Sequence, residues 1–538
     1  MHFLRKIQHI ALVTLLLGVL LAIAQPAQAQ KRGGTLKYIV PASDFPSMDA
    51  HRETTFAVVH PIAPFYSLLM RLDPLDPKGQ KLAGDLAEKY TVSKDKKTYT
   101  FTLHKGVKFH DGTPLTARDV VASYQKIINP PEGVHSPRKA FFLMVDKVEA
   151  PNDNTVVFTL SFPTGAFLPA ISMPYNFIYS ADQLKKDIHW FEKNVNGSGP
   201  FKLVENIPGD KVTGVRNENY FKKGLPYLDG FEASFADKSN VIVQAMKGGR
   251  IHSMFRGFSP DEVEDIVKTR GKDVVVSEAA WNCVLLVAIN HHKKPFDDQR
   301  FRRALNLGID RWGGSEYLSK IAIVKTVGGV VFPHDDLAPS KEQLQTLEGY
   351  WPDINKSRAK AKELLKEAGV PEGFKFVLKN RSTDQPYKFV ATWLIDQWRQ
   401  IGLNVEQQVL PTSAFYDAQR SEPPNRAFDA IMDFNCQSIV NPTLDVSIYT
   451  SFDNAPSNNS KYIDREMDKL YEAQLREGDD AKQKAILFDF QKRQSEQASY
   501  LITLWWHRAI VQDVKMKGWY VTPSHYLNMQ LETVWLDQ

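Results

Sequence analysis

The sequence predicts an α/β protein built from two large lobes. Segments rich in β-branched and aromatic residues alternate with amphipathic helical segments in two successive blocks, a pattern typical of α/β domains. The chain has 538 residues, which is too long for one simple hydrophobic core. Its hydrophobic content of 43% is that of an ordinary globular protein, so each block can bury a core of its own.

Residues 1–29 are predicted to be an export signal rather than part of the fold. Arg5 and Lys6 precede an almost wholly apolar run over residues 10–24, and Ala27-Gln28-Ala29 matches the small-x-small cleavage pattern. We place the cleavage after Ala29. The alternative is an uncleaved membrane anchor, for which the run is shorter than the ~20 residues that a bilayer requires. A lipoprotein needs a cysteine directly after the signal, and Gln30 stands there, so we expect an unlipidated periplasmic protein.

Turn residues separate the predicted elements of the first block. Gly33-Gly34 opens a strand that runs to Val40, and a loop rich in Pro, Ser and Asp follows over residues 41–49. Thr116, with Asp119 three residues later, is a weak capping box that opens a helix. The β-branched and aromatic runs predict further strands over residues 99–103 and 155–160.

The second block continues the alternation. Residues 357–368 form a clear amphipathic helix, which Gly369 ends with Pro371 two positions beyond. Strands are predicted over residues 273–276, 284–289, 374–378, 404–409 and 430–434. The other helices are predicted over residues 300–309, 387–401, 463–474 and 481–499.

Charge and cysteine content exclude two broad classes of protein. The formal net charge of +5 is spread over the chain, with Lys and Arg interleaved with Asp and Glu, which is not the basic patch of a nucleic-acid-binding protein. Cys283 and Cys436 are the only cysteines, and a secreted disulfide scaffold requires many more. We interpret both as buried small hydrophobes, and the sequence leaves open whether they are bridged.

No sequence motif indicates an enzyme, a metal or a cofactor. The chain has no His-Glu-x-x-His helix, no Walker A loop and no Gly-x-Ser-x-Gly elbow. His291 and His292 are adjacent, so on a strand they would face opposite ways, which disfavours a metal site. No local pattern supports a thiol triad around Cys283. We therefore expect no catalytic residues, no metal and no cofactor.

A motif over residues 82–128 points to a family. It contains Leu82-Ala83-Gly84-Asp85-Leu86, then Lys105-Gly106-Val107-Lys108-Phe109-His110-Asp111-Gly112-Thr113-Pro114. This closely resembles the signature of the extracellular solute-binding proteins of family 5, the dipeptide-, oligopeptide- and nickel-binding proteins of ABC importers. Similar stretches follow in the same order over residues 199–203, 217–230, 295–305, 364–369 and 398–403. The resemblance therefore covers nearly the whole mature chain.

The resemblance implies a hinged, two-lobed clamp of the periplasmic binding protein type II, with an extra subdomain in the first lobe. The implied first lobe covers residues 30–280, with the extra subdomain at about 77–193, and the implied second lobe covers residues 281–509. Residues 510–538 would return to the first lobe, and the hinge crossings would lie near Ala280-Trp281 and Trp506-His507. A ligand in the cleft would stabilise the closed state.

Two segments near the implied hinge are predicted to border the ligand. The resemblance places the loop with Phe45 and Met48 at the cleft. It also places Trp281 and Asn282 there, where an aromatic beside an amide suits stacking and hydrogen bonding. The alternative is that Trp281 packs within the hinge.

The second lobe is predicted to supply the charged and polar contacts. Arg381 corresponds to an arginine that holds a ligand carboxylate in dipeptide-binding relatives, with Lys388 as the rival and an exposed loop arginine as the alternative. Asn435 and Ser438 belong to the strand and loop that face the ligand in relatives. These residues complete the set of eight predicted contacts.

The aligned position of Ser438 predicts the charge of the ligand. Dipeptide-binding relatives hold the peptide ammonium there with an aspartate, whereas a serine hydroxyl offers a dipole but no charge. An unpaired buried ammonium costs several kcal/mol. We therefore expect a neutral or anionic ligand rather than a simple dipeptide bound through its free amine. If the alignment slips, Asp433 or Asp445 supplies the missing charge.

The predicted function is the periplasmic substrate-binding component of an ABC importer, which captures a small peptide-like or other organic solute. The expected partners are that ligand and the permease subunits in the inner membrane, and we expect a monomer that binds no nucleic acid. A protein that feeds a chemoreceptor or acts as a chaperone would use the same fold, and the sequence does not separate these roles. A secreted hydrolase would need a nucleophile–base pair in the cleft, of which the sequence shows no sign.

Overall fold

The computed structural model describes residues 30–524 and 528–538, and the predicted export signal with its cleavage site lies outside them. Among these residues no helix is long and apolar enough to cross a bilayer. The strands are β1 (Thr35–Val40), β2 (Met70–Leu72), β3 (Leu82–Gly84), β4 (Ala87–Val92), β5 (Thr98–Leu103), β6 (Val145–Asn152), β7 (Thr155–Leu160), β8 (Phe201–Ile207), β9 (Lys211–Arg216), β10 (Gly230–Phe235), β11 (Ser253–Met254), β12 (Val274–Ile289), β13 (Val324–Thr326), β14 (Lys375–Arg381), β15 (Asn404–Leu410), β16 (Ala430–Cys436), β17 (Tyr500–Asp513), β18 (Met516–Lys517) and β19 (Trp535–Leu536). The α-helices are α1 (Phe56–Ile62), α2 (Ala117–Ile128), α3 (Phe167–Ile171), α4 (Ala181–Lys186), α5 (Ser239–Lys247), α6 (Pro260–Arg270), α7 (Gln299–Leu307), α8 (Arg311–Ile321), α9 (Lys341–Gln345), α10 (Ile354–Glu367), α11 (Phe389–Arg399), α12 (Thr412–Arg420), α13 (Pro442–Val446), α14 (Arg465–Arg476) and α15 (Asp480–Gln497).

One sheet of eleven strands runs through the molecule. Its order is β15-β14-β16-β12-β17-β11-β1-β10-β9-β8, and β13 pairs with β17 beside this path. β1 is parallel to β10 and β11, and β14 is parallel to β15 and β16, whereas β12 and β17 are antiparallel to each other. Parallel pairs with helices between the strands confirm the predicted α/β class.

The long strands β12 and β17 connect the two halves of this sheet. They pair from Val274 and Asp513 to Ala288 and Tyr500, and their register shifts between Ala280 and Val284. At one end β17 pairs with β11, and at the other end β12 pairs with β16. We call the chain before β12 and after β17 the first lobe, and the chain between these strands the second lobe. Both strands continue from one lobe into the other.

The sequence predicted two strands where the structure has the single strand β12. Its first half is largely half-exposed, whereas every residue from Trp281 to Ile289 is buried. The polar residues Ser277 and Glu278 interrupt the apolar pattern but stay extended because their backbone pairs with β17. Tertiary pairing therefore overrides the local sequence pattern here.

A separate antiparallel sheet in the order β4-β5-β7-β6 lies in the first lobe. Residues along β5 and β7 alternate between buried and half-buried, as expected for strands with one face on a core. The helix α2 packs against this sheet through buried side chains that include Val120, Tyr124 and Ile127. The predicted capping box of Thr116 and Asp119 is confirmed at its first turn.

The second lobe contains a βαβ unit formed by β14, α11 and β15. The parallel register runs from Lys375 opposite Asn404 to Arg381 opposite Leu410. Trp398 on α11 is fully buried, and its Nε1 donates a 3.0 Å hydrogen bond to a carbonyl of α7. The preceding helix α10 ends as predicted, because Gly369 takes a φ of 69° that favours glycine.

The C-terminal segment is fixed to the rest of the first lobe by a buried ion cluster. Glu532 pairs with Arg71, and the Nζ of Lys222 lies 2.5 Å from Asp85. Gln530 donates a further 2.9 Å hydrogen bond to Asp85. Burial alone would raise the pKa of Asp85, but Lys222 and Arg71 outweigh burial and lower this pKa to about 2. The cluster therefore holds its carboxylates ionised near neutral pH.

Cys283 and Cys436 form a disulfide between β12 and β16. The two residues are opposite each other in the antiparallel ladder, their Cα atoms are 3.9 Å apart, and 153 positions separate them in sequence. Cys283 is fully buried, whereas Cys436 is half-buried. The sequence left open whether these residues are bridged, and the structure joins them because the strand register brings the two sulfurs together.

Candidate functional site

A cavity lies between the two lobes. It encloses about 690 Å³ of space that no protein atom fills, a figure that includes space open to solvent. The first-lobe wall includes Arg52, Thr54, His135, Arg138, Phe141 and Tyr175. The second-lobe wall includes Tyr416, Gln419, Arg420, Asp433, Phe434 and Asn435.

The first-lobe wall carries fixed guanidinium groups. Arg138 donates 2.9 Å hydrogen bonds to the carbonyl oxygens of His51 and Glu53, and its guanidinium lies 4.4 Å from the ring centre of Tyr175. Arg52 donates a 2.7 Å hydrogen bond to Glu192. These contacts hold both side chains in place, Arg138 against backbone carbonyls and Arg52 against a carboxylate.

His135 lies where these cations converge. Burial, together with Arg420, Lys461, Arg138 and Arg52, lowers its pKa to about 3. The imidazole is therefore neutral near neutral pH, with one donor and one acceptor nitrogen. A second depression of about 1200 Å³ adjoins the cavity, since Arg52, His135 and Arg420 line both. The lining of this depression mixes cations with carboxylates: Arg52, Lys126 and Arg420 with Asp49, Glu192, Asp417 and Glu422.

Asp433 gives the second-lobe wall a negative group. It is buried on β16 and accepts hydrogen bonds of 2.7 Å from Gln419 and 3.1 Å from Asn459. Burial outweighs these hydrogen bonds and raises the pKa of Asp433 to about 6. No cation in residues 30–524 or 528–538 forms an ion pair with it. The cavity thus has cationic groups on both walls and a carboxylate, Asp433, on the second-lobe wall.

Contacts between the lobes close the cavity. Arg420 donates a 2.8 Å hydrogen bond to the fully buried Glu53 of the first lobe. Burial raises the pKa of Glu53, although Arg420 and Arg52 oppose this rise. The ring of Phe56 in the first lobe stacks 6.2 Å from that of Phe434 in the second. The structure therefore shows the lobes in contact.

Asn435 lines the cavity, whereas Ser438 does not. The Nδ2 of Asn435 donates a 2.5 Å hydrogen bond to the carbonyl of Asp445, and its Oδ1 accepts one of 2.7 Å from Gln437. Ser438 is fully buried three residues later, and within the described ranges its hydroxyl has no hydrogen-bond partner. The structure thus separates the two polar residues predicted from this strand and loop.

Trp281 and Asn282 lie at the register shift of β12, behind the cavity wall. Trp281 is fully buried, with ring centres 5.5 Å from Phe56 and 4.8 Å from Trp506. Asn282 is fully buried and donates a 3.4 Å hydrogen bond to the carbonyl of Ile439. This placement corresponds to the alternative of hinge packing.

Arg381 also lies one layer behind the cavity. It is fully buried between the rings of Tyr387 and Tyr416, and it donates a 3.4 Å hydrogen bond to the hydroxyl of Tyr416. Its rival Lys388 is exposed and lies 3.7 Å from Asp384 on the surface. Tyr416 is the side chain that stands between Arg381 and the cavity.

The two residues predicted from the first-lobe loop pack inward. Phe45 lies with its ring centre 5.5 Å from that of Phe235, and Met48 is buried. Their neighbours Ser43 and Asp44 are the ones that reach the second lobe.

The residues of the first-lobe wall were not predicted from the sequence. Arg52, His135 and Arg138 lie in loops with no motif, and their approach to the second lobe depends on long-range packing. Asp433 had a detectable signal, because it is an acidic residue inside the apolar run Ala430-Ile431-Met432-Asp433-Phe434. Asp433 was predicted from the sequence only as an alternative source of negative charge.

Neither adjacent histidine joins a metal site in the described part of the chain, where no group of three or more His, Cys, Asp or Glu residues is placed to hold a metal ion. His291 lies 3.1 Å from the carbonyl of Ser499, and His292 lies 3.3 Å from the carbonyl of Lys461.

Known proteins match this chain in sequence and in fold. A family model described as bacterial extracellular solute-binding proteins, family 5 Middle, matches residues 81–459. The glutathione-binding protein GsiB of Pectobacterium atrosepticum is 29% identical over 386 residues, which cover 71% of this chain and 70% of that protein. GsiB of Escherichia coli K12 is 29% identical over 346 residues, which cover 64% of this chain and 63% of that protein, slightly less than two thirds of its length.

Solved structures establish the fold. The periplasmic binding protein DppA from Helicobacter pylori, in complex with the peptide STSA, matches with a TM-score of 0.81 and 24% identity, over 94% of this chain and 99% of that chain. AgaA of A. tumefaciens R10, in complex with agropinic acid, matches with a TM-score of 0.81 and 22% identity, over 94% and 99% of the two chains. The predicted two-lobed periplasmic binding protein fold is therefore confirmed.

Proposed function

The chain belongs to the bacterial extracellular solute-binding proteins of family 5, and on this premise we propose that it is the substrate-binding component of an ABC importer. It captures a small peptide-like solute between its lobes and delivers it to the permease subunits. The observation that supports this role is a cavity whose lining residues come from both lobes. A solute that contacts both walls favours the closed arrangement.

The two walls favour a solute with at least one carboxylate and an amine. Arg52, Arg138 and Arg420 offer guanidinium groups to a carboxylate through charge-assisted hydrogen bonds. On the second-lobe wall, which also carries Arg420, the ammonium of the solute would be the cation that pairs with Asp433. Short peptides and amino-acid conjugates carry this combination of groups.

This proposal replaces our expectation of a ligand without a free amine. That expectation rested on Ser438, which is buried outside the cavity lining, whereas Asp433 lines it. Asp445, the other alternative, is buried and accepts a 3.1 Å hydrogen bond from the backbone of Phe332. The named relatives bind glutathione, an anionic tripeptide with two carboxylates and one amine, so reduced glutathione is the first ligand to test.

We also propose that the protein is exported, cleaved after Ala29 and left unlipidated in the periplasm, where it acts as a monomer and not as an enzyme. The proposed lobes are residues 30–280 with 510–538, and residues 281–509. The register shift between β12 and β17 at Ala280 and Val284 supports the first boundary. The separate sheet β4-β5-β7-β6 supports an extra subdomain within about residues 77–193.

Calorimetric titration of ligand-stripped protein tests the proposed ligand class. The panel consists of reduced glutathione, amine-acetylated glutathione, neutral dipeptides and a small dicarboxylic acid. We expect glutathione to bind, and acetylation to weaken binding at least about tenfold because Asp433 loses its cation. Lys388→Ala is the matched control, since it removes an exposed charge outside the cavity and should leave the affinity unchanged.

Mass spectrometry of protein purified under native conditions complements the panel, because it identifies a solute that the panel omits. If no panel compound binds and the native protein releases no small molecule, the proposed importer role is contradicted. Equal affinities for glutathione and its acetylated form would contradict the pairing of the amine with Asp433 but not the importer role.

A further inference from the structure

The helix α12 carries three side chains of the cavity wall. Tyr416, Gln419 and Arg420 all line the cavity, and all belong to this nine-residue helix of the second lobe. A small displacement of α12 would move all three side chains. The position of this helix therefore determines the shape of the cavity.

The first turn of α12 has no capping side chain of its own. The residue before it is Pro411, which offers no side-chain hydrogen bond to the free backbone N–H groups. The first lobe supplies the missing acceptors. The backbone N–H of Thr412 donates a 3.2 Å hydrogen bond to the Oγ of Ser43. The Ser413 residue donates to Asp44 twice, through its N–H at 3.2 Å and its hydroxyl at 2.7 Å.

The charge of Asp44 suits this position. A carboxylate at the first turn interacts favourably with the helix dipole. The buried cation Arg381 is a second reason why a carboxylate suits this position. Its NH2 lies 3.3 Å from the Oγ1 of Thr412, and no carboxylate of the described residues is within ion-pair distance of Arg381. Burial alone would lower the pKa of Arg381, but the phenols of Tyr416 and Tyr387, with Asp44, outweigh burial and raise it.

The last turn of the same helix is also bonded to the first lobe. Arg420 donates a 2.8 Å hydrogen bond to Glu53, which is fully buried. The first lobe thus contacts α12 at both ends, and the side chains that line the cavity belong to the second half of the helix. Separation of the lobes would break the contacts at both ends.

We propose that Ser43 and Asp44 are positioning residues for the ligand cavity, because they cap α12 from across the cleft and so favour the closed arrangement. This inference rests on the proposed clamp function. It assigns a role in ligand capture to two residues that do not line the cavity. The expected consequence is that their removal lowers the fraction of closed protein.

Crosslinking between the lobes measures this fraction without any ligand. Arg476 of the second lobe lies 3.7 Å from the ring centre of Phe162 in the first lobe, so Phe162→Cys with Arg476→Cys places a reactive pair across the cleft. The two native cysteines are joined in a disulfide, so a short bismaleimide reports on the engineered pair. The rate of crosslinking is proportional to the closed fraction, however small that fraction is.

In this background, we expect Asp44→Ala to lower the crosslinking rate about fivefold, the effect of losing a helix cap. Asp44→Asn should retain most of the rate, because asparagine is also a good cap. The matched control is Asp95→Ala. Asp95 likewise accepts hydrogen bonds from a hydroxyl and a backbone N–H, but both donors belong to its own turn. Removal of the Asp95 side chain should leave the crosslinking rate unchanged, and any effect should be confined to the melting temperature.

The outcomes separate this inference from the proposed function. If wild type and Asp44→Ala crosslink slowly and at the same rate, the lobes open and close but the cap does not control them, and the inference is overturned. If every variant crosslinks completely at once, the lobes do not open, and the clamp itself is contradicted together with the inference.

Discussion

The ionised carboxylate of Asp433 should lower the stability of the ligand-free protein and strengthen the binding of the ligand. Its hydrogen bonds come from neutral groups, and its pKa is raised from 3.8 to about 6 because burial disfavours the charge. Between these two values the folded protein binds more protons than the unfolded chain, so stability falls as the pH rises through this window. At pH 7 the ionised carboxylate costs up to about 3 kcal/mol in the ligand-free protein.

Asp433→Asn should therefore stabilise the ligand-free protein at pH 7, by about 1–3 kcal/mol, while weakening the binding of reduced glutathione. The gain should disappear below about pH 4, where the carboxyl group is protonated in both states. Urea unfolding at pH 7 and pH 4, paired with calorimetry at pH 7, measures both effects. The exposed Asp146→Asn serves as the control. A loss of stability at pH 7 would contradict this account of Asp433.

Individual cavity-lining residues were the least predictable part of the candidate site. The sequence predicted eight, of which Asn435 lines the cavity, while Trp281 and Arg381 pack directly behind it. Family position indicates which segment approaches the cleft, but a shift of one residue along a strand turns the side chain to the other face. The loops that supply Arg52 and Arg138 have no periodicity from which their direction could be inferred.

At the scale of secondary structure, local pattern was sufficient for most elements. The strand over 155–160 matches β7, and the helix over 357–368 overlaps α10, because periodicity and end signals lie within each segment. The continuity of β12 could not be predicted, since it depends on pairing with β17 more than two hundred residues later. The disulfide was unpredictable for the same reason.

The disulfide between β12 and β16 makes a testable contribution at this scale. It closes a loop of 153 residues, and the loss of chain entropy in the unfolded state predicts a stabilisation of about 2–5 kcal/mol. We expect a reducing agent to lower the urea midpoint of the wild-type protein. The double variant Cys283→Ala, Cys436→Ala should unfold at the lower midpoint with or without reductant. An unchanged wild-type midpoint after complete reduction, verified by thiol titration, would contradict this contribution.

At the scale of the whole molecule, the two-lobed fold was predictable because the family motifs recur in order along the chain. What the sequence did not contain is the arrangement that joins the lobes. Asp44 with Ser413, and Glu53 with Arg420, are each separated by more than three hundred positions, and no local signal pairs them. The charge distribution of the cavity follows from this arrangement, so it became visible only in the folded molecule.

Binding should compact the molecule, because the ligand must contact walls that belong to different lobes. We predict that reduced glutathione, at a hundredfold excess over its measured Kd, lowers the radius of gyration in X-ray scattering. The same excess should raise the free energy of unfolding by about 2.7 kcal/mol, since ligand binds the folded state alone. The control compares the wild type with Asp433→Asn at a glutathione concentration equal to the wild-type Kd, where the variant should be less compact on average because its affinity is lower. Saturable glutathione binding without a change in radius would contradict closure, since a clamp that binds between its lobes cannot leave their separation unchanged.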